Sequence, residues 1–97
     1  RTTNASTENI TALRKQIDEI DMSILEILAK RMRISREIGQ YKKEHDMAIL
    51  QSKRYDEIIS KRVADGKTMS MGEDFLNTIF EAIHAESVRQ QMEIMNK

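Results

Sequence analysis

Apolar residues recur along the first half of the chain at alternating steps of four and three residues. This spacing places them on one face of a helix with 3.6 residues per turn. We predict an amphipathic helix from about Asn9 to about Glu44, whose apolar face is interrupted by one seven-residue gap, where Arg31 stands. The residues of this face are Leu13, Ile17, Ile20, Ile24, Ile27, Ile34, Ile38 and Tyr41.

A second helix is predicted after a turn at His45–Ala48, where the apolar period breaks. We place it from about Ile49 to Ala64, with Asp65-Gly66-Lys67 ending it, because glycine commonly stands just beyond a helix terminus. Its predicted inward residues are Leu50, Ile58, Ile59 and Val63.

A third helix is predicted to run to about Met95. Ser70-Met71-Gly72-Glu73 has the pattern of a capping box, with Ser70 as N-cap and Glu73 reaching back to it. Since no strand pattern occurs, the predicted fold class is all-α, with three helices per protomer, one of them very long. The predicted inward residues of this helix are Leu76, Ile79, Phe80, Ile83 and Val88.

The length of the first helix favours an intertwined homodimer. A rod of some 35 residues is roughly 50 Å long, whereas a compact domain of 97 residues is roughly 30–35 Å across. Two shorter helices cannot cover its whole apolar face, and a second copy can. A plain antiparallel coiled coil fits the same periodicity. We place a polar leader or linker at residues 1–8 and one domain at residues 9–97.

Composition narrows the possible functions. The 16 basic and 16 acidic side chains balance, which argues against nucleic acid as a partner. The absence of Cys and the wide separation of the two His make a metal site or a disulfide framework unexpected. No apolar run approaches the roughly 20 residues of a membrane span. We therefore expect a cytoplasmic protein with no membrane partner.

Polar residues stand on the predicted inward faces of all three helices. Arg31 and Lys42 lie on the first helix, eleven residues apart, and Arg54 lies on the second. On the third, Ser87 and Gln91 continue the apolar line. A buried charge needs a counter-ion, so the group suggests a pocket for a small dianion. The alternatives are that the long cations reach water from the edge of a face, or that Arg31 pairs with an acidic residue of another helix.

A family pattern extends over nearly the whole chain, from about Ile10 to Met92. It is carried by Leu13-Arg14-Lys15-Gln16-Ile17-Asp18-Glu19-Ile20-Asp21, Leu28-Ala29-Lys30-Arg31, Ile38-Gly39-Gln40-Tyr41-Lys42, Arg54, and Glu86-Ser87-Val88-Arg89-Gln90-Gln91. With these segments the sequence closely resembles the all-helical AroQ-class chorismate mutases. The resemblance implies rearrangement of chorismate to prephenate in aromatic amino-acid biosynthesis, an intertwined homodimer with shared active sites, and no cofactor. Because the family is often fused to other aromatic-pathway enzymes, a stand-alone enzyme and an excised domain both remain open.

The resemblance also implies roles for six residues. Arg14 and Arg31 would bind the two substrate carboxylates, with help from Ser87, while Lys42 and Gln91 would flank the ether oxygen and Arg54 would line the pocket. Arg14 precedes Arg31 by 17 residues, hence by roughly 25 Å along the helix. In an antiparallel dimer we expect it to serve the pocket of the partner chain.

Two positions depart from the family pattern. Tyr55 and Gln51 stand where the family commonly has acidic residues beside the ring hydroxyl of the substrate. Both side chains can still donate and accept a hydrogen bond, so we expect them to contact that hydroxyl. Two other functions remain open: an isochorismate-pyruvate lyase of the same fold, and a non-catalytic helical dimerisation or regulatory module.

Overall fold

The computed structural model describes the backbone of residues 3–97 and the side chains from residue 7 onward. Within this range the regular elements are three helices: α1 at Thr3–Glu44, α2 at Ser52–Lys67 and α3 at Glu73–Met95. The predicted all-α class with one very long helix is confirmed. The chain divides into two compact units, one that ends at Arg31 and one that comprises Met32–Lys97.

The first unit consists of the earlier part of α1. The helix begins at Thr3, before the predicted start at about Asn9. The polar residues there lack an apolar period, but none of them is a glycine or a proline, so nothing breaks the helix. The first two residues of the predicted leader lie outside the described residues, and the domain boundary after residue 8 stays a prediction.

The apolar face of this first unit is exposed in the single chain. The exposed fractions of its side chains range from 46% to 65%. These residues are Ile10, Leu13, Ile17, Ile20, Ile24 and Ile27. Contiguous apolar surface of this kind is typical of an interaction surface.

In the second unit, α2 packs against α3, and the end of α1 runs beside α3 in the same direction. Ser35 contacts Ser87, which lies 52 residues later in the sequence. Gly39 contacts Gln91, which is also 52 residues later. The polar residues on these helix faces are therefore stacked in register, one turn apart.

The most deeply buried side chain among the described residues is Leu76, at 2% exposure. It packs on Gly66, where its methyl groups occupy the space that a Cβ atom would need. Gly66 therefore lies within α2 and not just beyond it as predicted, and α2 continues to Lys67. Packing against the next helix, and not helix termination, explains this glycine.

The turn between α1 and α2 lies where it was predicted. Asp46 has a φ of 54°, a left-handed conformation that Asp tolerates better than most residues. The amide of Met47 donates to the carbonyl of Lys42 over 2.8 Å. Because the turn extends further than expected, α2 begins at Ser52, with Gln51 as its N-cap, and not at Ile49.

The predicted capping box at the start of α3 is wrong. Ser70 has a φ of 66° and lies in a turn in which the amides of Met69 and Met71 both donate to the carbonyl of Gly66. Gly72 is the N-cap, without a side-chain cap hydrogen bond. The Glu73 carboxylate instead forms an ion pair with a lysine of α2.

Most predicted inward residues of α2 and α3 are at least half-buried. Leu50 and Ile79 differ, with exposed fractions of 58% and 37%. Leu50 precedes the first residue of α2, so the helical period that assigned it an inward position does not apply there. Within residues 3–97, no helix combines the length and apolar character needed to cross a membrane.

Candidate functional site

The side chains of Lys42 and Gln91 meet between α1 and α3. The Lys42 ammonium donates to Gln91 Oε1 over 3.1 Å and to the backbone carbonyl of Ile49 over 2.7 Å. Lys42 is half-buried, and Gln91 is only 7% exposed. These two contacts hold the ammonium group between α1, α3 and the turn that precedes α2.

Lys42 forms no ion pair with an acidic side chain among residues 7–97. Burial removes water from the ammonium and lowers the pKa of Lys42 below the ordinary value of 10.5. Both groups that accept its hydrogen bonds are neutral. The ion pairs found among residues 7–97 involve other cations: Lys61, Lys67 and Arg89. A partly desolvated cation whose hydrogen-bond acceptors are neutral is suited to bind an anion.

The bond from Lys42 also fixes the orientation of the Gln91 amide. Because the ammonium can only donate, it selects the amide oxygen and leaves the Nε2 hydrogens as donors. An ammonium and a primary amide therefore lie within hydrogen-bond distance of each other, and both groups can donate hydrogen bonds.

One turn earlier, two buried hydroxyl groups join the same helices. Ser35 Oγ donates to Ser87 Oγ over 2.9 Å, and Ser87 Oγ donates to the sulfur of Met32 over 3.6 Å. The two serines are 5% and 6% exposed. Ser87 is thus placed on the same inward line as Gln91, as its spacing predicted.

The predicted site residues at the start of α2 are more open. Gln51 is exposed and its side chain donates to the carbonyl of Ala48 over 3.3 Å. Arg54 is exposed in the first turn of α2. Tyr55 is half-buried, and its ring packs on that of His84 with 4.1 Å between the centroids and a tilt of 44°.

The structure therefore brings together Lys42, Gln91 and Ser87 in the second unit. Arg14 and Arg31 belong to the first unit, where Arg14 is exposed and Arg31 is half-buried. Their assignment to carboxylate binding stays a prediction. Among residues 7–97, no three His, Asp or Glu side chains lie close enough together to hold a metal ion.

Sequence reasoning missed two contributors to this region. His84 precedes Ser87 by three residues and Gln91 by seven, so all three share one face of α3. That spacing was the signal that could have found it. The Ile49 carbonyl carries no such signal, because every residue has a carbonyl and only the turn decides which one reaches Lys42.

Known proteins match this chain over most of its length. The sequence profile of the family described as "Chorismate mutase type II" matches residues 13–92. The T-protein of Enterobacter agglomerans is 28% identical over 78 residues, which are 80% of this chain and 21% of that protein. The bifunctional chorismate mutase/prephenate dehydratase of Buchnera aphidicola subsp. Acyrthosiphon pisum is 28% identical over 89 residues, 92% of this chain and 23% of that protein.

A third relative is closer to this chain in length. The 4-amino-4-deoxychorismate mutase of Streptomyces pristinaespiralis is 27% identical over 89 residues, which are 92% of this chain and 69% of that protein. By contrast, the chain spans less than a quarter of the length of the T-protein and of the bifunctional Buchnera enzyme. The matched region contains Lys42, Ser87 and Gln91, and the resemblance found in the sequence is confirmed: the chain belongs to the chorismate mutase type II family.

Proposed function

We propose that this chain catalyses the rearrangement of chorismate to prephenate. The observation that carries the proposal is the pair of donors formed by Lys42 and Gln91, with an ammonium that has no acidic partner in an ion pair among residues 7–97. Chorismate is a dianion with an ether oxygen on which negative charge grows as the reaction proceeds. Two donors directed at that oxygen stabilise the transition state more than the ground state.

The reaction needs neither a nucleophile nor proton transfer. The ether C–O bond breaks while a C–C bond forms within one molecule, so all atoms are retained. Holding the substrate in a compact reactive conformer removes much of the barrier. In this account Lys42 and Gln91 bind the ether oxygen, and Ser87 supports a carboxylate.

The remaining roles follow the family resemblance. Arg31 binds one carboxylate, and Arg14 of a second copy binds the other. On α2, Arg54 lines the pocket while Gln51 and Tyr55 contact the ring hydroxyl. In the single chain Tyr55 is half-buried, whereas Gln51 and Arg54 are exposed. This difference supports a larger contribution of Tyr55 than of the other two residues to the part of the pocket formed by α2.

The site is completed in a homodimer in this proposal. The exposed apolar face of α1, from Ile10 to Ile27, supplies the surface that a second copy covers. Association removes this face from water, which is favourable at about 25 cal/mol per Å² of apolar area. Because the names of the longer relatives include a bifunctional enzyme, we also propose that this domain works beside another aromatic-pathway activity in the cytoplasm.

Incubation of the purified chain with chorismate tests the proposal. We expect loss of the ultraviolet absorbance of chorismate and formation of an equal amount of prephenate. Parallel reactions contain isochorismate, with pyruvate release as the readout, and 4-amino-4-deoxychorismate. Pyruvate release from isochorismate as the main activity would favour a lyase, and faster turnover of the amino compound would assign a different substrate. Turnover of none of the three would overturn an enzymatic function.

A further inference from the structure

We infer that Gly39 is a positioning residue, which sets the Gln91 amide at the distance from Lys42 that the site requires. This inference rests on the proposed function and deepens it. Gly39 is buried in α1, one turn before Lys42, and it faces α3 where Gln91 lies. In this account its role is to let α3 come close, and not to permit an unusual backbone conformation.

The evidence is the space beside Gly39. A Cβ atom built there would lie 3.1 Å from Gln91 Cα, 3.2 Å from Gln91 Cγ and 3.3 Å from Gln91 Cβ. The backbone and the first two side-chain carbons of Gln91 therefore all pack on the bare face of the glycine. Contacts this short leave no room for a methyl group unless the two helices move apart by a few tenths of an ångström.

That close packing leads directly to the donor pair. The Gln91 side chain passes over Gly39 and ends with its amide oxygen 3.1 Å from Lys42 Nζ. At this length, a displacement of a few tenths of an ångström weakens the bond that orients the amide. Gly39 contributes no polar group to the site, so it acts only through Gln91.

A glycine in the middle of a long helix has a cost. It lowers helix stability relative to alanine, and nothing in the backbone of α1 requires it, because no glycine of this chain has a positive φ. A packing reason remains, and the packing partner is the residue whose amide meets Lys42. Gly66 also allows close packing between two helices, but the residue that packs on it is Leu76 of the core and not a residue of the candidate site.

The test is Gly39→Ala, with Gly72→Ala as the matched control. A Cβ atom at Gly72 meets nothing within 4 Å, and its φ of −74° suits alanine. For Gly39→Ala we expect a folded protein in which kcat for chorismate falls about tenfold or more, because small misplacements of a reacting geometry are costly. We expect KM to change less than twofold to threefold, and Gly72→Ala to keep the wild-type kcat within about twofold.

A double-mutant cycle separates positioning from general packing. If Gly39 acts through the Gln91 amide, adding Gly39→Ala to Gln91→Ala will cause no further loss of kcat. Equal losses in the two backgrounds would overturn the inference. Failure of Gly39→Ala to fold would also overturn it, since Gly39 would then be needed for the fold itself.

A spectroscopic measurement keeps the inference testable if chorismate turnover is absent. The Gln91 side-chain NH₂ signal in ¹⁵N-correlation spectra is assigned by its loss in Gln91→Ala. We expect this signal to shift in Gly39→Ala and to stay in place in Gly72→Ala. An unshifted signal in Gly39→Ala would contradict the inference, whatever the outcome of the activity assay.

Discussion

The ring of Tyr55 on α2 packs against the imidazole of His84 on α3, with 4.1 Å between the ring centroids. His84 shares its helix face with Ser87 and Gln91, so this contact fixes Tyr55 beside the same line of residues. Tyr55 stands at a position where the family commonly has an acidic residue, so this chain has there an aromatic side chain packed on His84.

Tyr55→Phe tests the use of the Tyr55 hydroxyl. The substitution keeps the ring and its packing on His84, so we expect little change in thermal stability. We expect kcat/KM for chorismate to fall about threefold to tenfold, the value of one neutral hydrogen bond. Tyr41→Phe is the matched control, because Tyr41 also stacks on a histidine, at 4.0 Å from His45. An equal loss in both variants would show that the Tyr55 hydroxyl has no specific role.

The alkaline side of the pH profile reports on Lys42. Burial lowers the pKa of Lys42, so in the free enzyme its ammonium loses the proton at a lower pH than an ordinary lysine does. Activity requires the charged form. As the pH is raised, kcat/KM will therefore begin to fall at a pH below 10.5, the ordinary pKa of lysine. A bound dianion favours the ammonium, which moves the decline in kcat to higher pH.

Lys42→Arg provides the comparison for this profile. A guanidinium stays charged throughout the alkaline range, so the decline will disappear even though the maximum rate is lower. If kcat/KM of Lys42→Arg still declined at the same alkaline pH as in the wild type, the decline would come from deprotonation of another group.

The helices were predictable because their signals are local. The period of Ile and Leu along α1, and the absence of Pro, indicate a long helix that ends at about Glu44, although they do not indicate its start at Thr3. The start of α3 was not predictable from Ser70 and Glu73, because backbone hydrogen bonds to Gly66 in the preceding turn outweigh the capping pattern. A local sequence pattern does not show that backbone hydrogen bonds of a neighbouring turn compete with the cap.

The site was predictable only in part. Lys42 and Gln91 could be found because polar residues on an inward face are unusual. The acceptor at Ile49 and the role of Gly39 depend on the distance between helices, which periodicity does not contain. The exposure of the apolar face of α1 shows the same limit, since a period identifies a face but not what covers it.

The dimer proposal predicts different effects for two similar substitutions in α1. Ile20 and Met22 are similarly exposed, at 54% and 56%. However, residues two positions apart in an α-helix differ by about 200° in direction around its axis. Ile20→Glu places a charge on the apolar face, so we expect a monomer at micromolar concentration and loss of most activity. Met22→Glu places the same charge on the opposite face and will leave the dimer intact. Sedimentation of both variants checks this, and equal behaviour would contradict an interface on that face.

A mixing experiment tests whether the sites are shared between two chains. Arg14→Ala and Arg31→Ala will each be nearly inactive, because each leaves one carboxylate without its cation. When the two variants are refolded together, about half the dimers will be heterodimers, and about a quarter of all pockets will be intact if the pockets are independent. Activity will then return to roughly a quarter of wild type. No recovery after confirmed mixing would place Arg14 outside the partner's pocket.

The most direct test of the whole account is the effect of Lys42→Ala and Gln91→Ala on kcat for chorismate, with Lys43→Ala as control. Lys43 is the next residue, but its ammonium donates to the carbonyls of Ile94 and Lys97 at the end of α3. Loss of either donor at the ether oxygen will raise the barrier by about 3–4 kcal/mol and lower kcat by about 10²–10³-fold. Lys43→Ala will change kcat by less than about twofold. A raised KM with unchanged kcat in Lys42→Ala and Gln91→Ala would contradict the account, because the pair would then bind substrate without stabilising its transition state.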